Sequence, residues 1–359
     1  MPPVSSDHTS FEADATGGQT TVTTDATARD WDAFVEQHPD GTVDHLYGWR
    51  EVFQRVFGHR CEYLVARRSA RIVGVLPLVL IRSKLFGRLA VSLPALNDGG
   101  LLAADPSASS ELLAAAATLA REFGASEVEL RHRARQCPDL PFRQHKLGLS
   151  RDLPGTTEAL WQDIDRKIRN QVRKAQKEGL EAISGGAELL DAFYLVFSTN
   201  MRDLGTPVYP RALFDETIRQ FPDRARVTIV RRGTDIMAGG FTLSFRGTVV
   251  NPWASSLRQF RNLCPNTLLY WHLLEQAVAS GAGVFDFGRS SPGGGTHQFK
   301  LQWGAREQPL YWEYLMLDGA NLPDRGPTNP KFERAVQVWQ RMPLWLANVA
   351  GPLIAKHLP

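Results

Sequence analysis

Two segments of the chain, "VARRSARIVGVLPL" at Val65–Leu78 and "IVRRGTDIMAGGFTL" at Ile229–Leu243, carry one pattern. In each, a strand-like run ends in Arg-Arg (Arg67-Arg68 and Arg231-Arg232), a short polar turn follows, and an Ile-led apolar run with small residues resumes. Apolar runs split by a tight polar turn signal a hairpin. The surroundings repeat as well. After each hairpin come a further strand, an apolar helix ("ELLAAAATLAREFG" and "NTLLYWHLLEQAVASG") and another strand ("SEVELR" and "GVFDFGRS"). A repeat of this length calls for two copies of one mixed α/β (α+β) unit rather than one large domain. The alternative is a chance likeness between two hairpins.

A length of 359 residues suits two ordinary units. The formal charge of +3 is too weak a bias at this length to imply bulk nucleic-acid binding. Cys61, Cys137 and Cys264 have neither metal-ligand nor disulfide-framework spacing, and the nine histidines form no ligand set, so we expect no metal and a reducing cytoplasm. The first 29 residues lack a basic stretch followed by an apolar run and read as a disordered lead, not a secretory signal. No run is long and apolar enough for a membrane span. The last segment, 319–359, reads as a Pro/Gly/Asn-rich linker and an amphipathic helical tail with Trp339, Trp345, Val349, Leu353, Arg341 and Lys356. Such a tail either pads the body or lies on a membrane surface.

Four places could carry chemistry. In "GVFDFGRSSPGGGTHQFKLQWG" a strand, a glycine loop and a helix start bring backbone N–H groups together where the helix dipole favours an anion, here at Gly294 and Gly295. Arg289 and Lys300 add positive charge, and Lys300 lies about one turn into the helix. The other reading is a mobile surface loop. The spacing is not that of a P-loop, and counting from Arg289 the first glycine of an Arg-x-x-Gly-x-Gly loop falls on Pro292. The second place is the helix "RKIRNQVRKAQKEG", whose Arg166–Lys177 face has few acids to neutralise it and suits a diphosphate or RNA backbone, or else is simply solvated. The third is "TNMRDLGTPVYP", a loop in which Tyr209 could line a substrate site. The fourth is "NPWASSLRQFRNLCPNTLLYW", with Trp253 at a strand end and Asn266 as a helix N-cap.

Together "KIRNQVRKAQKEGL", "NMRDLGTPVYPRALF", "CPNTLLYWHLLEQAVASG" and "FDFGRSSPGGGTHQFKLQWGA" resemble the Fem-type peptidyltransferase family, and most closely its branch associated with the exosortase/PEP-CTERM system. The similarity runs from about Trp31 to Tyr314. It implies tandem GNAT-like domains, which we place at 30–152 and 153–318. It also implies aminoacyl transfer from aminoacyl-tRNA, or acyl transfer from acyl-CoA, to an acceptor, with no tightly bound cofactor. Lys167 and Arg169 match the family's phosphate-contacting Lys-x-Arg, and Phe299, Lys300, Trp303 and Gly304 match the pattern whose lysine lies near the reacting carbonyl. The chain departs from the family in the basic "VELRHRAR" and in lacking a coiled-coil arm. Those departures favour an acyl-CoA donor, or a polyanionic or lipid-linked saccharide or peptide acceptor, over a standard cell-wall precursor.

The expectation is therefore a cytoplasmic acyltransferase, peripheral to the membrane if the tail binds it. Lys300 would stabilise the oxyanion with the Gly294 and Gly295 N–H groups. Arg169 and Arg289 would hold phosphates, and Asp286 or His297 would act as base. The rival expectations are a non-catalytic binding protein for a lipid-linked glycan or protein partner, and a tRNA-binding protein.

Overall fold

The computed structural model describes residues 18–317, 319, 322 and 333–359. Along the chain lie β1 (Thr21–Thr23), α1 (Ala28–Gln37), α2 (Gly48–Val52), β2 (Arg60–Arg68), β3 (Arg71–Ser83), β4 (Gly87–Val91), β5 (Leu102–Ala103), α3 (Pro106–Phe123), β6 (Glu127–His132), β7 (Phe142–Arg143) and β8 (Leu147–Asp152). Then follow α4 (Thr157–Asp163), α5 (Arg166–Lys177), β9 (Glu181–Gly185), α6 (Leu190–Leu204), α7 (Arg211–Gln220), β10 (Ala225–Arg232), β11 (Asp235–Phe245) and β12 (Thr248–Ser256). The chain closes with α8 (Pro265–Ala279), β13 (Val284–Ser290), α9 (Gly295–Leu301), β14 (Arg306–Pro309), β15 (Tyr311–Met316), α10 (Glu333–Gln340) and α11 (Leu344–Ala355).

Local chemistry explains the helix limits. Asp105 accepts from the Ala108 N–H and Pro106 opens α3, which stops at Gly124 in the left-handed region. Asp165 likewise accepts from the Lys167 N–H at the start of α5. At α8 the cap position is Cys264, at φ +57°, and not Asn266, because Pro265 takes the first helical position and moves Asn266 inside the helix.

Two sheets form, ordered β1-β2-β3-β4-β6-β15-β7, with β5 beside β3, and β14-β8-β13-β12-β11-β10-β9. The repeated hairpins occupy equivalent positions. β2–β3 is bulged between Ala66 and Arg67, and β10–β11 between Val230 and Arg231, the same point of each motif. Each sheet also holds one parallel pair that soon separates. β4 pairs with β6 only at Ala90–Val91, and β12 with β13 only at Thr248–Val250. The two gaps face each other: a Cβ built on Gly288 would lie 3.0 Å from the Asn251 carbonyl oxygen and 3.5 Å from Asn97 of the first unit.

Sheet membership does not follow cuts at 152/153 and 318. β8 belongs to the second sheet, where it pairs with β13 and β14, and β15 returns to the first sheet beside β6. Each unit is completed by a strand from beyond the expected boundary, because an unfilled edge exposes unpaired backbone groups. Order also begins earlier than residue 30, since β1 pairs with β2 and α1 starts at Ala28; residues 1–17 of the expected lead lie outside the described residues, as does most of the linker. A shared core joins the units, with Trp31, Trp49 and Tyr63 in the same cluster as Phe193, Phe214, Phe241 and Trp253. The buried sides of α10 and α11 pack on α6, with Trp339 and Ala347 entering that core.

Candidate functional site

β13 carries the elements of the glycine motif into the gap between the sheets. Alternation along the strand sends Phe285 and Phe287 into the core beneath α5 and α8, and turns Asp286 toward the first unit. There Asp286 meets Arg133, whose Nη2 lies 2.8 Å from its Oδ2 and which also pairs with Asp98. Burial would lower the Arg133 pKa, but the two carboxylates outweigh it and the net shift is upward. Asp286 also accepts the Gly288 N–H at 2.7 Å. Beneath this bridge, burial and the neighbouring Asp98 push the Asp44 carboxyl up to about 7. A cavity of about 230 Å³, lined by Arg131, Arg133, His132, Asp98 and Gln308 among others, opens beside it.

Past Gly288, at φ +72°, the strand is bulged and its pairing with β8 resumes, opposite Gly148, at Arg289. Its Nη1 donates to the Leu96 carbonyl of the first unit at 2.9 Å, and its guanidinium lies 5.6 Å from the Trp312 ring. No carboxylate lies within ion-pair distance of Arg289 among the described residues. Burial first, and then the like charge of Arg131, lower its pKa to about 10. Arg131 is fully buried. It is held by Glu129 and by the Leu93 and Leu96 carbonyls, and lies 4.0 Å from the same indole. Lys146 donates to Ser291 Oγ at 2.7 Å, and its pKa is lowered by burial and by Arg289. His145 sits edge-on to Trp312, pushed down to about 4 by burial and then by Lys146. Tyr209 faces the same cluster, its phenol pKa raised by burial against the opposing pull of Arg289 and Arg131.

Lys300 completes the group. It is 7% exposed, and its Nζ donates to the Arg289 carbonyl at 2.9 Å. Burial lowers its pKa to about 8, with Asp286 opposing and Arg289 reinforcing the shift. The ammonium has three N–H donors and spends one on that carbonyl, so it can donate to a reacting oxygen. A cluster of cations held partly out of water attracts an anion and strengthens any hydrogen bond made to it.

The structure gathers Lys300, Arg289 and Tyr209 in this gap and sends other expected residues elsewhere. The glycines form a turn rather than a cradle: the Gly294 N–H is spent on the Ser291 carbonyl and the Gly293 N–H on His297 Nδ1, while Gly295 opens a helix of only seven residues. His297 Nε2 lies 2.5 Å from Glu307, so both ring nitrogens are engaged. Asp286 is paired with Arg133, so both expected bases are engaged by partners within the protein. Trp253 is buried against Phe214 and Phe241 as core. Asn266 is half-buried inside α8. Arg169 caps the end of α4 through the Trp161 and Gln162 carbonyls, and Lys167 is exposed. Both lie on α5, whose apolar stripe packs on the sheet face opposite Asp286. Sequence reasoning missed Arg131, Lys146, His145 and Trp312. The available signal was the basic run "VELRHRAR", which is remarkable only because its strand is buried throughout.

Residues 163–301 match the family described as Acetyltransferase (GNAT) domain. No curated protein sequence matches the chain. Among solved structures, FemX aligns with a TM-score of 0.65 at 15% identity, covering 83% of this chain and 97% of that one. L-PGS from Bacillus licheniformis aligns at 0.54 and 14%, covering 82% and 93%. A tandem GNAT protein from the clavulanic acid biosynthesis pathway aligns at 0.52 and 13%, covering 84% and 100%. With its repeated hairpins, its two sheets and a parallel pair that opens in each, the chain has the mixed α/β fold of a tandem GNAT protein.

Proposed function

We propose that the protein is an acyltransferase that moves an acyl or aminoacyl group from an activated donor to an amine or hydroxyl of an anionic acceptor bound between the two sheets. The observation that carries this reading is the pair formed by buried Lys300 and half-buried Arg289, the latter with no carboxylate within ion-pair distance among the described residues. A partly buried unpaired cation is costly in the free protein, and an anionic substrate would relieve that cost on binding.

In the reaction the acceptor nitrogen or oxygen attacks the thioester or ester carbonyl carbon directly. The carbonyl π electrons move to oxygen, where the Lys300 ammonium donates a hydrogen bond to the oxyanion. On collapse the carbon–sulfur or carbon–oxygen bond breaks, and the leaving group takes up the proton that the acceptor loses. Arg289 and Lys146 hold the anionic part of the acceptor, so that orientation supplies much of the rate. No covalent enzyme intermediate is required.

An acyl-CoA or an aminoacyl-tRNA would serve as donor. The resemblance to the exosortase-associated Fem branch supports a cell-envelope or exopolysaccharide precursor, lipid-linked or peptide-bearing, as acceptor. A thermal-shift screen of acetyl-CoA, longer acyl-CoAs, aminoacyl-tRNA and UDP-sugars tests this on the wild type, Arg289→Met and Lys300→Ala. An acceptor that stabilises the wild type and not Arg289→Met supports the reading. Stabilisation by none of them, or by an acceptor that is indifferent to Arg289→Met, overturns it.

A further inference from the structure

Of the eight large apolar side chains exposed among the described residues, five lie on α10, α11 and the β3–β4 turn. Trp345, Val349 and Leu353 are 60–69% exposed and follow one another at four-residue spacing, so they form a ridge along one face of α11. The other face is occupied: Ala347, Gly351 and Ala355 are buried, and Gly351 lies against the Val208 backbone. Val338 on α10 and Leu85 in the β3–β4 turn are exposed as well. That turn adjoins the end of α11, since His357 Nδ1 lies 3.0 Å from the Arg82 carbonyl oxygen.

Where the two meet is a cavity of about 260 Å³, lined by His59, Arg60, Arg82, Lys356 and His357 and by no acidic residue. Arg60 turns to Glu62, whereas Arg82 and Lys356 have no carboxylate partner among the described residues. From Ala335 to Pro359 the sequence contains no Asp or Glu, and Arg341 and Lys356 stand at either end of the ridge.

We propose that α11 and the β3–β4 turn form a docking face for an anionic phospholipid bilayer, with the Trp345–Val349–Leu353 ridge at the acyl boundary and a headgroup phosphate in the basic cavity. None of the described helices is long and apolar enough to cross a membrane, so the contact lies on the surface. A bilayer fits this face better than a second copy does. A two-fold dimer would set the patch against itself, bringing Arg82, Arg341 and Lys356 together with no acid to answer them. An anionic surface neutralises those same cations while the ridge leaves water.

The test is co-sedimentation of the full chain with phosphatidylcholine vesicles, with and without phosphatidylglycerol. Wild type should pellet with the anionic vesicles, less so as salt is raised, and only weakly with neutral ones. Val349→Glu combined with Leu353→Glu should cut partitioning by roughly tenfold or more. Lys356→Glu should cut it by about fivefold or more. These positions are not buried, and an unchanged Tm verifies that the variants fold. Equal binding to neutral and anionic vesicles, or variants that bind like wild type, overturns the proposal. So does a concentration-dependent dimer abolished by Val349→Glu without vesicle binding, or stabilisation by inorganic phosphate in a protein that never pellets.

Discussion

The Nζ of Lys300 donates to the carbonyl oxygen of Arg289 at 2.9 Å, so one hydrogen bond ties the α9 lysine to the end of β13. Lys300→Ala should therefore lower the rate of acyl transfer by roughly 10²–10³-fold, the usual effect of deleting an oxyanion donor. Donor and acceptor should bind nearly as before. Single-turnover transfer with isothermal titration separates the two effects, and an equal loss of binding and rate would show that Lys300 holds the substrate instead.

The charge of that lysine sets a pH dependence. Its folded-state pKa of about 8 lies below the ordinary value of 10.5, so the folded protein releases the proton first. As pH rises through about 8 the oxyanion donor is lost, and the ratio of wild-type to Lys300→Met rates should fall. Stability moves the other way. Between about 8 and 10.5 the unfolded chain binds more protons at this group, so the lysine's contribution to stability rises with pH. Rate profiles and urea titrations across pH 7–10 check both signs.

Arg289→Met should raise KM for the anionic acceptor by roughly 10- to 100-fold, as expected for losing charged hydrogen bonds of about 1.5–3 kcal/mol. Its Tm should stay close to that of the wild type, because Met keeps the length of the half-buried side chain and gives up only the hydrogen bond to the Leu96 carbonyl. A lowered Tm with unchanged KM would identify Arg289 as a structural residue.

Asp286→Ala should destabilise the protein by roughly 1–3 kcal/mol in urea unfolding, because it removes one of the two carboxylates that hold half-buried Arg133 and the acceptor of the Gly288 N–H. Were Asp286 the base instead, Asp286→Asn would abolish transfer while largely preserving stability.

Gly288→Ala combines two costs, a φ of +72° and a new Cβ 3.0 Å from the Asn251 carbonyl. We expect a loss of about 1–3 kcal/mol in stability and a fall in kcat as Arg289 shifts out of register. A variant with wild-type kcat would show that the position of Arg289 does not depend on this turn.

Periodicity and turn chemistry are local, so the sequence alone determined the repeated Arg-Arg hairpins, the α3 cap and stop, the basic α5 and the strand that leads into Lys300. It placed Arg289 and Lys300 on either side of the glycine loop, eleven positions apart, but not the hydrogen bond that joins them. Strand exchange was not legible there. Whether β8 joins the sheet before it or after it depends on which edge is open, and that is a property of the assembled sheets. The roles of Arg131, Lys146, His145 and Trp312 were hidden for the same reason: each looks ordinary along the chain and acquires its chemistry from neighbours up to about 180 residues away. The glycines and the Arg169 helix failed in the opposite direction. Both look like anion sites locally, but folding directs the Gly294 N–H to Ser291 and the Arg169 guanidinium to the end of α4. Only the tertiary structure decided which cations remain unpaired, because pairing depends on distances across the gap that no spacing along the chain encodes.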